Sequence, residues 1–304
     1  MHPDARRVPV FLVTGCNGQV GFELRRSLAP LGKVVAADRQ TCDLARPDDI
    51  RRLVASVNPD VVVNAAAYTA VDKAESDADT AFAVNSTAPG VLAKIMQERG
   101  GVLVHFSTDY VFDGEAGRAY TEDDTTNPRS VYGKSKLEGE REVLSSCKKA
   151  IVLRTSWVAG AHGANFAKTM LKLAGERSSL RVIADQYGAP TSAALIADVT
   201  AQVLARCMGR GEEAFPSGIY HLAAAGETTW HGYATEVIRY ALTKGMTFAV
   251  SPDRIEAIGA ADYPLPAPRP ANSRLDTARL RETFGVYLPD WRQGVHHMLD
   301  QILI

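Results

Sequence analysis

Cysteine is scarce in this sequence of 304 residues: Cys16, Cys42, Cys147 and Cys207 stand far apart and make no C-x-x-C pair. That spacing excludes a zinc cluster or a disulfide framework and fits a reducing compartment. No apolar run approaches the ~20 residues of a membrane helix. Arg6 and Arg7 precede an apolar stretch, but Gly15 ends it too soon for a secretory signal core. A cytoplasmic protein without a membrane partner is the expectation. An excess of one charge sign is missing too, with 34 Lys and Arg against 35 Asp and Glu. At a pI near 6.7 there is no electrostatic footprint for nucleic acid or anionic lipid. Internal repeats and low-complexity segments are also absent. What remains is 46% hydrophobic residues, enough for a core without staples. The length suggests two domains, or one core with a subdomain.

The first half alternates short apolar runs with helical patterns. Val8–Thr14, Val34–Asp38, Val61–Ala67, Val102–Ser107 and Ile151–Ser156 read as strands. Between them Val20–Ala29, Pro47–Val57, Thr80–Glu98 and Tyr132–Leu144 read as helices, the second opening with proline in its first turn. Strands with continuous apolarity, separated by helices, belong to a parallel sheet covered on both faces. The fold class is therefore α/β, a Rossmann-type doubly wound parallel sheet. Beyond residue 157 the alternation loosens. Asn165–Leu173, Ala193–Cys207 and Trp230–Leu242 read as helices, Arg181–Ala184 and Gly218–Leu222 as strands. Tyr263–Pro270 is too rich in proline for either. These patterns predict a dinucleotide-binding domain over 1–157. A smaller α/β substrate-binding subdomain follows over 158–304, with some segments returning to the core.

The first strand runs into Gly15-Cys-Asn-Gly18-Gln-Val-Gly21, which opens a helix. Glycines there allow a tight turn, close approach of backbone N–H groups to a pyrophosphate, and close helix–strand packing. The helix N-terminus then faces the phosphate charge. Asp38, ending the second strand, is placed to accept both hydroxyls of an adenosine ribose. Arg39 beside it could instead meet a 2′-phosphate, so NADH and NADPH both remain open. The G-x-x-G-x-x-G spacing points to the short-chain dehydrogenase branch of dinucleotide-binding proteins. Small residues in Asn64-Ala-Ala-Ala67 leave room for a nicotinamide-side ribose.

Tyr132-Gly-Lys-Ser-Lys136 is Y-x-x-x-K on a predicted helix, and residues four apart share a face. Phenol and ammonium can then converge on one substrate atom. A nearby Lys⁺ and an oxidised nicotinamide predict a Tyr132 pKa below the usual ~10. Ser107 and Thr108, at the C-terminal end of the fourth strand, each offer a hydroxyl where open α/β sheets bind ligands. Strand alternation sends them to opposite faces, so only one can serve.

Several longer segments accompany these motifs: Asn64–Glu75, Ser107–Phe112, Val131–Lys136, Arg154–Val158, Asn165–Met170, Asp185–Thr191 and Arg269–Leu275. Over nearly its whole length the chain resembles the dTDP-4-dehydrorhamnose reductases, extended short-chain dehydrogenases that make dTDP-L-rhamnose. The last three segments lie outside the shared cofactor chemistry and separate this reductase from epimerases and dehydratases of the same fold. The resemblance implies Thr108, Tyr132 and Lys136 as the catalytic set, and Thr108, Asp109 and Trp157 as substrate contacts. It implies nucleotide contacts at Gly18, Gln19, Val20, Asp38, Asp43, Leu44, Ala67, Tyr68, Thr69 and Phe106. Phe106 and Trp157 also read as plain core. The implied reaction is hydride transfer from NADPH or NADH to the C4 keto group of dTDP-4-dehydro-L-rhamnose.

Some members of that family are magnesium-bridged dimers held by glutamates. Of the matching positions here only Glu23 keeps a carboxylate, the others being Ala194 and Arg292. The expectation is a monomer or a metal-independent homodimer, with a shifted site at acids such as Asp198 or Asp290 as the alternative. Two rival functions stay open: reduction of another nucleotide-linked 4-keto-deoxysugar, and a non-catalytic NADP-binding regulatory subunit. Three groups read as structural. His296 and His297 are adjacent on a helix and point ~100° apart. His105 lies inside a strand, and Glu122-Asp-Asp124 reads as a solvated loop.

Overall fold

The structure, a computed structural model, describes residues 7–303; Arg6 lies outside the described residues. In chain order it contains β1 (Val10–Thr14), α1 (Gln19–Ser27), β2 (Lys33–Ala37), α2 (Pro47–Val57), β3 (Val61–Asn64), α3 (Val71–Ala74), α4 (Ala78–Phe82), α5 (Ala88–Glu98), β4 (Val102–Thr108), α6 (Val131–Ser146) and β5 (Ala150–Thr155). After these come β6 (Val158–Ala159), α7 (Phe166–Glu176), β7 (Leu180–Ile183), β8 (Tyr187–Gly188), β9 (Thr191–Ser192), α8 (Ala193–Cys207), β10 (Gly218–His221), β11 (Thr228–Thr229), α9 (Trp230–Thr243), β12 (Ile255–Ile258), α10 (Ala278–Phe284) and α11 (Trp291–Ile302).

Six strands form one sheet in the order β10-β5-β4-β3-β1-β2, every neighbouring pair parallel. The chain turns outward in both directions from the gap between β1 and β3, the crevice where open α/β sheets hold ligands. Burial on both faces explains the unbroken apolarity. Phe11, Val13, Val63, Val104 and Leu153 pack one face beneath α1 and α8. Leu12, Val62, Leu103 and Val152 pack the other beneath α2, α5 and α6. α8 and β10, from the later half of the chain, thus join the main core. α7, α9 and α11 build separate clusters around Tyr233, Trp291 and Ile238.

Two elements differ from the sequence pattern. The long helix predicted over Thr80–Glu98 is interrupted by a π-helical turn at Ala83–Thr87. Pro89 is the cause: it brings no N–H and its ring collides with the carbonyl four residues back, that of Asn85. α6 uses this opening, since a Cβ at Gly139 would come within 2.0 Å of the Asn85 carbonyl oxygen. The third strand ends at Asn64 rather than Ala67, because its pairing stops at Thr14 on one side and His105 on the other. Tyr263–Pro270 is irregular, as its prolines require, and is pinned to α3 where Arg269 and the Ala267 N–H meet the Asp72 carboxylate.

Candidate active site

A cleft of about 810 Å³ opens along the C-terminal ends of β1–β5. At its centre Gly15 has φ +67° and stands so close to the chain leaving β3 that a Cβ would lie 2.6 Å from the Ala66 Cα. Gly21 sits under the turn, with only 2.1 Å between its would-be Cβ and the Gly15 carbonyl oxygen. Between them Gly18 begins α1 with no side-chain cap. The first-turn N–H groups of the helix are thereby left to a ligand, and their partial positive charge suits a pyrophosphate. The cleft fits a dinucleotide.

The wall contains Gly15, Gly18, Gln19, Val20, Asp38, Arg39, Asp43, Leu44, Ala67, Tyr68, Thr69, Phe106, Tyr132 and Lys136. Gly21 is buried behind it, and Thr108, Asp109 and Trp157 stand outside this wall. Asp38 already accepts from the N–H groups of Gln40 and Thr41, the Thr41 hydroxyl and the Asn17 amide. Those donors hold its carboxyl below the usual range. They also tie down the turn that carries Arg39. Gln19 reaches the later half of the chain, where its Oε1 accepts from the Gly160 N–H and the Asn165 amide.

α6 carries Tyr132 and Lys136. Ser130 caps its N-terminus by accepting from the Gly133 N–H, and Glu75 accepts from the Val131 N–H. Tyr132 and Lys136 follow one turn apart. Lys136 is buried, its Nζ donating to the Phe106 carbonyl and lying 3.4 Å from His105 Nε2. Burial pushes its pKa down to about 8, with Glu140 acting in the other direction. The protein's own groups push the Tyr132 pKa up to about 12. Desolvation dominates and the Asp109 carboxylate adds to it, while the Thr108 hydroxyl favours the phenolate. The depression expected from Lys136 and an oxidised nicotinamide together belongs to the cofactor complex; in the protein alone the Lys136 ammonium bonds to β4. A neutral phenol is the form that can donate a proton.

Of the two candidate hydroxyls, Thr108 faces Tyr132 and donates to Asp109 Oδ1 at 3.0 Å. Ser107 lines the cleft and keeps a buried Oγ without a partner. Asp109 is 3% exposed and its Oδ2 lacks a partner, so burial pushes its pKa up to about 6. This raised value gives a stability prediction. Between about pH 4 and 6 the folded state holds a proton that the unfolded chain has released, so stability falls as pH rises through that window. Asp109→Asn should flatten this slope and stabilise the neutral-pH protein by on the order of 2–3 kcal/mol. Urea melts at several pH values check it; an unchanged slope would assign the titration elsewhere.

Trp157 leaves β5 with φ +48°, uncommon for a bulky residue. Its ring stacks on Trp230 at 3.7 Å and lies against Gly188, where a Cβ would be 2.6 Å from it. The strain is held by packing against Trp230 and Gly188.

Three residues were undervalued by sequence reasoning. His105 is fully buried, as a core histidine should be, yet it touches Lys136. Asn85 holds the Tyr68 backbone through both amide atoms and also donates to Ser135 on α6; Pro89 was the available signal for its π-helical turn. Glu122 is not a solvated loop residue: its side chain is 4% exposed and accepts from the His221 N–H. Glu23 and Asp198 both bind Arg26, while Asp290 caps α11 and meets Arg292. His296 pairs with Glu236.

A family model described as the RmlD substrate binding domain matches residues 10–304. The chain belongs to that family. A dTDP-4-dehydrorhamnose reductase of Burkholderia thailandensis is 52% identical over 287 residues, covering 93% of this chain and 96% of that one. The reductase of Salmonella typhimurium is 47% identical over 295 residues, 96% of this chain and 97% of its own. The solved Bacillus anthracis dTDP-4-dehydrorhamnose reductase, in complex with NADP, superposes with a TM-score of 0.87 at 29% identity. That match covers 97% of this chain and 99% of the other. RmlD-family membership thus extends over both the dinucleotide cleft and the α7–α11 region beside it.

Proposed function

We propose that this protein is an NAD(P)H-dependent reductase that converts the C4 keto group of dTDP-4-dehydro-L-rhamnose to the alcohol of dTDP-L-rhamnose. The observation that carries the reading is Tyr132 and Lys136, one turn apart on α6 and both lining a cleft whose uncapped helix N-terminus suits a dinucleotide. When bound, the nicotinamide supplies the hydride. Tyr132 gives its proton to the developing C4 oxygen, and Thr108 orients that oxygen. Lys136 holds the cofactor's ribose and offsets the charge left on Tyr132. Asp109 and Trp157 border the sugar, Trp157 held rigid by Trp230. Gly15, Gly18, Gln19 and Val20 line the pyrophosphate, and Ala67, Tyr68, Thr69 and Phe106 the middle of the cofactor. Gly21 acts beneath them, by letting α1 approach the turn. Asp38, Arg39, Asp43 and Leu44 surround the adenosine. The 1–157 and 158–304 division follows this separation of roles. The test is loss of NAD(P)H absorbance with dTDP-4-dehydro-L-rhamnose. Tight cofactor binding without substrate-dependent oxidation would favour a regulatory subunit, and faster turnover of another dTDP-4-keto sugar would move the substrate assignment.

Both cofactors are expected to serve, with kcat/KM values within about tenfold of each other, or ~1.4 kcal/mol. Asp38→Ala removes the ribose acceptor and should shift the ratio toward NADPH. A ratio that stays put in steady-state kinetics would mean that Asp38 only organises its own turn.

Magnesium is expected to be dispensable. The positions of the family's bridging carboxylates hold Glu23, already paired with Arg26, together with Ala194 and Arg292. Mg²⁺ needs oxygen ligands and sheds water reluctantly, and a guanidinium repels it. EDTA should therefore change neither turnover nor sedimentation of the monomer or metal-independent dimer. A dimer that dissociates on chelation and re-forms with Mg²⁺ would overturn this.

A further inference from the structure

Four buried polar side chains run in a line below the cleft. Thr14 on β1 meets Asn64 Oδ1 on β3 at 2.6 Å, and Asn64 Nδ2 meets His105 Nδ1 on β4 at 3.0 Å. His105 Nε2 then lies 3.4 Å from Lys136 Nζ on α6. Strand register sets the line, since Thr14 pairs with Asn64 and Asn64 with His105 across the sheet. None of the four is more than 2% exposed. Apolar residues surround them in a core that has no need of polar groups, and each costs desolvation unless it is bonded.

The charge on Lys136 fixes the direction of the chain. An ammonium has three protons and accepts nothing. One proton goes to the Phe106 carbonyl. A ring proton on Nε2 would point at the ammonium, so charged Lys136 requires a lone pair there. Burial keeps the imidazole neutral, with its pKa driven well below the usual value. Its single proton must then sit on Nδ1, where it needs an acceptor. Asn64 can supply one: a half-turn of the amide presents oxygen to the ring and NH₂ to Thr14, with the heavy atoms in place. The opposite order suits only an uncharged amine.

We propose that His105 is a positioning residue for Lys136, holding the ammonium through the Nε2 lone pair while Asn64 and Thr14 fix the ring's tautomer. The proposal rests on Lys136 belonging to the catalytic set. Two ammonium protons are then held by β4, and the third is left for the cleft, which Lys136 lines. The titratable groups facing Lys136 are His105 from β4 and Glu140 from its own helix, the latter paired with Arg154 of β5. Tyr132 lies one turn earlier on the same helix.

The tautomer can be read without cofactor or turnover. Protein labelled with ¹⁵N-histidine, at about pH 6.5 where Lys136 is charged, should show His105 as the Nδ1-protonated neutral ring. The resonance is assigned by its absence from His105→Gln. An Nε2-protonated or doubly protonated ring overturns the proposal. Variants add a second readout. His105→Gln retains an acceptor and should keep the wild-type pH profile of NADPH binding. His105→Phe removes it and should move the alkaline midpoint down by about one pH unit, a tenfold change in the ionisation constant. Unchanged midpoints in both variants, with only a lower Tm, would make His105 structural and sink the idea. If the phenylalanine variant does not fold, the tautomer decides alone. Full activity in Lys136→Met would instead refute the catalytic reading and leave the tautomer result standing.

Discussion

Tyr132→Phe is expected to lower kcat by at least two decades while leaving fold and cofactor affinity nearly unchanged. General acid catalysis contributes about 10²–10⁴-fold, and nothing else near the cleft can replace the phenol as acid. Lys136 is held by the Phe106 carbonyl and His105, which leaves its one free proton to the ribose side of the cleft. The Thr108 hydroxyl, bonded to Asp109, can orient an oxygen but is a far weaker acid than the phenol. Asp109 itself is buried, and with a pKa raised to about 6 it is mostly ionised at neutral pH. The substitution keeps the aromatic ring, so its edge-on contact with Tyr110 at 5.5 Å survives and the helix should not shift. KM for the sugar should change little, because the proton is given only as the C4 oxygen gains charge. The same geometry sets the pH dependence. The Tyr132 phenol is held at about 12 and Lys136 at about 8, so reduction should decline on the alkaline side first as Lys136 loses its proton. Steady-state kinetics and cofactor fluorescence titration check both points. Lost cofactor binding with a small change in kcat would make Tyr132 a structural residue.

The sheet was readable because a strand buried on both faces has no polar alternation to confuse it. β1, β2, β4 and β5 appear within a residue or two of where their apolar runs lie. The Gly15–Gly21 turn was equally plain, since only glycine tolerates the approach of Ala66 to Gly15. What could not be read depends on partners far away in sequence. The surroundings of Lys136 are one case: Y-x-x-x-K spacing places a cation near the phenol but does not say that β4 holds two of its protons. His105 is another, because its meaning lies in Asn64 on one side and Lys136 on the other. The two-residue strands β6, β8, β9 and β11 have no period to detect and exist only through pairing with one another. Trp157 looked like core or substrate contact, and only its backbone shows that the position is strained.

The largest stability effect is expected one turn beyond Lys136. Glu140 and Arg154 are 1% and 2% exposed, joined by two parallel hydrogen bonds of 2.9 and 2.7 Å. Among the described residues Arg154 has no other charged partner. Its Nη1 is unpaired, and its remaining company is the Phe112 ring at 5.0 Å and a neutral His221 whose pKa burial drives down to about 3. Glu140→Ala would leave a guanidinium buried without a counter-charge, which costs roughly 3–5 kcal/mol. A domain of ordinary stability has only about 5–15 kcal/mol in total. Replacing both residues by leucine removes both desolvation penalties together and should cost markedly less than Glu140→Ala alone, because the pair's attraction and its burial penalty nearly cancel. Chemical denaturation of the two variants and the wild type distinguishes these outcomes. A second consequence reaches the active site: Glu140 supports the charged form of Lys136, so both variants should show the alkaline limb of the kcat profile at lower pH. If Glu140→Ala melts within about 1 kcal/mol of wild type, solvent reaches Arg154 and the pair is not the anchor that its burial indicates.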